Sequence, residues 1–116
     1  MIKETLLSAL EPLNYPCYQQ GTIAPDMEYP ESFITFEITD SEETRHFDNM
    51  PKITAWNIAV IFYSNNPELV ISEGRRIYDT LRAAGFIPQG KGADTLSDEP
   101  SHTGWVNDYK YIESEE

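Results

Sequence analysis

Residues Lys52 to Ser64 constrain the fold more than any other part of this chain. Trp56, Ile58, Val60 and Phe62 recur at every second position. Ile53, Ala55, Ala59, Ile61 and Tyr63 fill the alternate register, interrupted by Asn57. A period of two predicts a strand, and two apolar faces predict a strand covered on both sides. A helix would supply one cover. The N-terminal helix or a neighbouring subunit would supply the other. The helix is announced at once by Asn66 as N-cap, Pro67 at the first helical position and Glu68 at the positive end. Val70, Ile77, Leu81 and Ala84 continue it at helical spacing beside Tyr78, and Gly85 is the expected C-terminal glycine. Gly74 falls in mid-helix, which costs roughly 1 kcal/mol against Ala and suggests close packing on the sheet.

The flanking segments complete a small α+β domain. Ile2, Leu6, Leu7 and Leu10 predict a short N-terminal helix that Pro12 stops. Asn14-Tyr15-Pro16 is a turn signal, and Cys17 to Gly21 reads as a short strand leading into a proline-containing loop, Thr22 to Glu31. In Ser32–Thr39, Ile34, Phe36 and Ile38 alternate with Phe33, Thr35, Glu37 and Thr39, which predicts a strand. Asp40 to Pro51 is too polar for a core and reads as a long loop or an extended hairpin arm. Phe86 to Gln89 is a short strand or entry segment, and Gly90 to Pro100 an acidic, mobile loop. Gly104 to Ile112 closes the fold as a strand with Trp105, Tyr109 and Tyr111 on one face. We expect a single domain over residues 1–116, with 113–116 frayed. It would hold a single antiparallel or mixed sheet with two main helices packed on it, in the order α-β-β-β-α-β-β.

The 116 residues carry 20 acidic and 8 basic side chains, a net of −12. The imbalance is uneven: residues 1–50 and 85–116 are acidic, whereas 51–84 hold Lys52, Arg75, Arg76 and Arg82 against Glu68, Glu73 and Asp79. Such a chain is not built to neutralise a nucleic-acid backbone, and it repels anionic membrane. Its longest apolar run, Ile58 to Tyr63, is far short of the ~20 residues that span a bilayer. No basic segment followed by an apolar one opens the chain, so no signal peptide is expected. Arg75, Asp79 and Arg82 share one exposed helix face by spacing.

Recognisable chemistry is sparse. The sequence contains no phosphate-binding glycine loop; Gly90-Lys91-Gly92 lacks the strand-to-helix context. No serine lies in a nucleophile elbow, and a triad would need His46 or His102 as base. Cys17, the sole cysteine, reads as a small buried residue and excludes both an internal disulfide and multi-cysteine zinc. His46 with Asp48 and Glu43, or His102 with Asp98, lack a repeated ligand spacing. No catalytic residue, cofactor or metal is assigned. His102 is expected in a turn.

Taken in order, these segments resemble a known family. The residues that carry the resemblance are Leu6-Leu7 in the opening helix and Phe33-Ile34-Thr35-Phe36 after the proline loop. With them stand the strand Trp56 to Ser64 running into a helix, that helix's end at Leu81-Arg82-Ala83-Ala84-Gly85-Phe86, and the last strand near Trp105–Tyr111. The pattern is similar to the tail terminator and tail completion (neck) proteins of long-tailed bacteriophages and prophages. It covers nearly the whole chain and contains no catalytic signature.

The resemblance implies a virion protein that forms a homo-oligomeric ring, usually a hexamer, at the head-proximal end of the tail tube. Such a ring stops tube growth and presents a surface to the head connector, with DNA passing through unbound. It implies location in the virion tail, and in the bacterial host cytoplasm during assembly. The partners would be other copies, the tail tube protein and connector proteins, with no membrane. On this reading the candidate subunit interface is Arg75 and Arg82 with Trp56 and Ile58 of the long strand. The candidate acidic lumen or end-face residues are Asp40, Glu42, Glu43 and Asp48, then Asp94, Asp98 and Glu99. An acidic DNA-mimic inhibitor, or another small interaction protein, is the competing class.

Overall fold

A computed structural model describes residues 2–20, 30–44, 52–95 and 101–115. Helix α1 (Ile2–Leu10) runs into a 3-10 turn, Glu11–Leu13, that carries Pro12 and ends at Asn14 in the left-handed region. Strands β1 (Cys17–Gln19), β2 (Ser32–Thr44) and β3 (Lys52–Ser64) follow, then helix α2 (Pro67–Ala83). Three more strands complete the chain: β4 (Ile87–Pro88), β5 (Ala93–Thr95) and β6 (Thr103–Glu115). The expected α+β class and element order stand, with β5 as a short addition inside the segment read as a loop.

The sheet is mixed. Its order is β1-β2-β3-β6-β4, with β5 also on β6. Among the described residues, only the β1–β2 pair is parallel. The three long strands β2, β3 and β6 form its middle. Thirteen residues at ~3.3 Å each span about 43 Å, most of the molecule's 52 Å length. β2 contains a bulge: Ile38 pairs with Ile58 and Asp40 with Asn57, leaving Thr39 over. The Thr39 hydroxyl donates to the Asn57 carbonyl at 3.2 Å.

Both helices pack on one face of this sheet. Ile2, Leu6 and Leu10 of α1 and Ile77 and Leu81 of α2 join Ile34, Phe36, Ile58, Val60, Phe62 and Tyr109 in one core. Burying each such large apolar side chain contributes roughly 1.5–3 kcal/mol. Of the two covers expected for the second face of β3, the N-terminal helix or a neighbouring subunit, the N-terminal helix is therefore corrected. The apolar stripe of α1 meets α2 and the same strands that α2 covers. On the helix-free face Phe33 and Thr35 are buried and Ala59 nearly so, while Ile61 and Tyr63 are half-buried. Phe33 stacks near Tyr63 and His102, with ring centroids 5.1 and 5.8 Å away.

The strand-to-helix turn is built by its own side chains. Ser64 is fully buried; its hydroxyl pairs with Ser32 Oγ at 3.0 Å and accepts from the Asn66 backbone N–H at 3.0 Å. Asn66 then caps α2 by accepting from the Glu68 N–H at 3.1 Å. Gly85 follows the helix at φ +97°, as its position predicts.

A basic groove and an acidic arm

α2 reaches the sheet across Gly74. A Cβ at that position would lie 2.5 Å from Cδ1 of Trp105, so the missing side chain is what admits the indole. Gly92, at φ +103°, bounds the same ring from the β4–β5 connection, and a side chain there would collide with it. Trp105 thus floors a groove between α2 and the β5 edge. One end, a cavity of about 360 Å³, has Arg75, Asp79 and Arg82 of α2 on one wall and Lys91 beyond, with Tyr78 and Trp105 between. The other end, about 570 Å³, is lined by Pro67, Val70, Ile71, Asp94 and Thr95. Ile71 belongs to both and is 63% exposed.

The helix spacing did place Arg75, Asp79 and Arg82 together on one exposed face. Among the described residues, Arg75, Arg82 and Lys91 form no salt bridge or side-chain hydrogen bond. Arg76, one position along, is used locally. It binds Glu73 at 3.2 Å, and the Tyr15 hydroxyl also donates to that carboxylate. Burial first, and then the bond to Glu73, push the Tyr15 phenol up to about 12. Tyr15 also stacks edge-on to Phe62 of β3 at 5.0 Å, so the turn before β1 is tied to both α2 and the sheet.

The second feature is an arm. Beyond the helix-covered core, β2, β3 and β6 continue together as three paired strands. Register assigns the side chains to faces, because directly paired residues share a side. Asp40, Glu42, Ile53, Ala55 and Ile112 occupy the helix-free face, and Glu43 the opposite one. Ile53 and Ile112 are 40% and 49% exposed, and Asp40 and Glu42 are exposed beside them. Glu43 binds Lys52 at 2.9 Å on the other side. Among the described residues β1 pairs with positions 34–36 of β2 alone, so carboxylates line the rest of that sheet edge, a device that discourages indiscriminate strand addition.

Several candidates resolve differently from their sequence reading. Ile58 is fully buried in the core and offers no interface, because its face of β3 is the one the helices cover. Trp56 shares that face at the core margin, with its Nε1 donating to Glu113 at 3.4 Å. The outward side of β3 carries Ile53 and Ala55 instead. Asp40, Glu42 and Glu43 lie in β2, so of the two readings offered for that segment the extended hairpin arm holds for them, and Asp94 lies in β5 at the groove mouth. Asp48, Asp98, Glu99 and His46 fall outside the described residues. Ile71, Lys91 and Ile112 were not singled out by the sequence. An apolar residue on the polar side of α2, or at a strand end, was the available signal.

His102 is a buried clasp, not a turn residue. Its Nε2 is 2.8 Å from the Pro30 carbonyl and its Nδ1 is 2.9 Å from Ser101 Oγ. A carbonyl only accepts, so Nε2 carries the proton. Cys17 is half-buried, bonded through Sγ to the Tyr15 carbonyl at 3.4 Å, and burial pushes its thiol up. No group of three or more His, Cys, Asp or Glu side chains among the described residues is placed to hold a metal ion. No helix among them is long and apolar enough to cross a membrane. The sequence matches no protein-family model, and no curated protein is significantly similar to it.

Proposed function

We propose that this chain is a structural component of a phage or prophage tail. It forms a ring at the head-proximal end of the tail tube, ends tube growth and joins the tube to the head connector. The observation that carries the reading is the arm. Three strands extend past the core, with exposed carboxylates and exposed isoleucines that the subunit itself leaves unused. A surface of that kind suits contact with other chains. The sequence pattern that resembles tail terminators supports the same assignment.

The charge fits the task. A channel that passes DNA works best when its wall repels phosphate, and a net of −12 supplies that repulsion. Of the carboxylates read as lumen or end-face candidates, four are described: Asp40 and Glu42 on the outward face of the arm, Glu43 on its other face and Asp94 in β5. The chain is assigned no catalytic role, and its partners are further copies of itself, the tube protein and the connector.

The test is removal of the coding sequence from its phage or prophage, followed by electron microscopy of the particles. Tails of uncontrolled length, or tails without heads, are expected, and adding the protein back should restore both. Tails of normal length joined to heads would sink the proposal. The acidic arm would equally serve a DNA mimic. Capture of a basic nuclease by the purified chain, competed by DNA, would favour that second reading.

A further inference from the structure

We infer that the groove between α2 and the β5 edge receives the arm of a second copy of this chain. The contact would set Ile53 and Ile112 against the exposed Ile71. It would bring Asp40 and Glu42 among Arg75, Arg82 and Lys91. The inference deepens the ring reading above and rests on it for the identity of the partner.

Complementarity carries the argument. The chain is strongly acidic, yet three cations without a salt bridge among the described residues gather around Trp105 and Tyr78. Asp79 is the acid among them, so the lining retains a positive excess. The arm offers the opposite. Two exposed carboxylates stand beside two exposed isoleucines on one face. The apolar parts correspond as well, since Ile71 links the basic end of the groove to the end formed by Pro67 and Val70. Lys110 lies on the arm's face, in the row of Asn57 and Asp40, and forms no salt bridge among the described residues.

A chain cannot fill its own groove. Trp105 pairs with Phe62 and so lies on the helix face of the sheet, whereas the acidic face of the arm is the opposite one. The contact therefore joins unlike surfaces of two copies. Such heterologous contacts close into a ring or continue as a filament. Opposed charge also fixes the orientation of approach and disfavours like-patch pairing.

Two variants of the full-length chain test this: Asp40→Lys with Glu42→Lys, and Arg75→Glu with Arg82→Glu. Sedimentation velocity at low salt and rising concentration reads the association, and circular dichroism confirms that each variant folds. The unaltered chain should self-associate, more weakly as salt rises. Each variant alone should associate about tenfold more weakly or less. An equal mixture should recover association, because the basic arm of one variant meets the acidic groove of the other. A mixture no better than its components would overturn the inference, and so would an unaltered chain that stays monomeric throughout. Recovery in the mixture, with normal headed tails from a phage lacking the chain, would keep the contact and remove the ring function. Overlong or headless tails without the chain, but normal headed tails from both variants and no recovery in the mixture, would do the reverse.

Discussion

The indole of Trp105 fills the space that a side chain on Gly74 would need. Replacing a mid-helix glycine with alanine ordinarily stabilises by roughly 1 kcal/mol. Here the added Cβ meets a ring confined on its other side by Gly92. Gly74→Ala should therefore destabilise the protein, by up to about 2 kcal/mol net, since overpacking costs typically 1–3 and the helix gain returns about 1. Urea unfolding measures it. In a Trp105→Leu background the same change should become neutral or favourable, which a double-mutant cycle would show.

Thr35 predicts a gain. Its side chain is buried on the helix-free face and its hydroxyl has no hydrogen-bond partner among the described residues. Valine has nearly the same shape and no polar group to desolvate. Thr35→Val should raise unfolding stability by about 1 kcal/mol. An unchanged or lowered denaturation midpoint would show that the hydroxyl is satisfied in solution.

The turn between β3 and α2 predicts a loss. Ser64→Ala removes both the bond to Ser32 and the acceptor of the Asn66 N–H. The site is fully buried, so water cannot replace them. The expected cost is about 1–3 kcal/mol. Asn66→Ala removes only the cap to Glu68 and should cost about 1 kcal/mol. Thermal unfolding of the two variants should rank them in that order.

Alkaline pH should unlock two phenols late. Burial holds both Tyr15 and Tyr109 up at about 12, from an ordinary 10.0. The folded state therefore favours the neutral phenols. Their contribution is fully present below pH 10 and is lost as pH rises through about 12. Stability should fall across that window, and phenolate absorbance should show a late phase. The Tyr15→Phe, Tyr109→Phe double variant should lose that phase and flatten the fall. A titration with no late phase would contradict the packing described for both rings.

Periodicity made the skeleton legible. The strand Lys52–Ser64 was readable to the residue because one register, Trp56 to Phe62, is apolar throughout and Asn66-Pro67 marks its end. The two-faced strand did not reveal which face the helices take, because two apolar registers look alike in sequence. That ambiguity is why Ile58 reads as a surface candidate when it is fully buried. Asp40–Glu43 left loop and hairpin arm both open because strand propensity disfavours acids, and cross-strand pairing to residues 54–57 decides for the arm. Arg75 and Arg82 were legible from helical spacing alone. Lys91 and Ile71 were not, because what unites them is Trp105, brought in from the far end of the sequence.

The extra residue at Thr39 has a consequence for how the arm is addressed. Side chains beyond it stand in inverted parity relative to the strand that precedes it. Deleting Thr39 would leave Asp40 opposite Asn57 and so keep Asp40 and Glu42 on the outward face. Holding Thr39 in the ladder opposite Asn57 would instead turn Asp40 and Glu42 to the helix side and carry Glu43 away from Lys52. The acidic identity of the outward face is thus written in where the strand gives up one residue, not in composition. A homologue could keep every carboxylate and still lose that face by absorbing the bulge into the ladder.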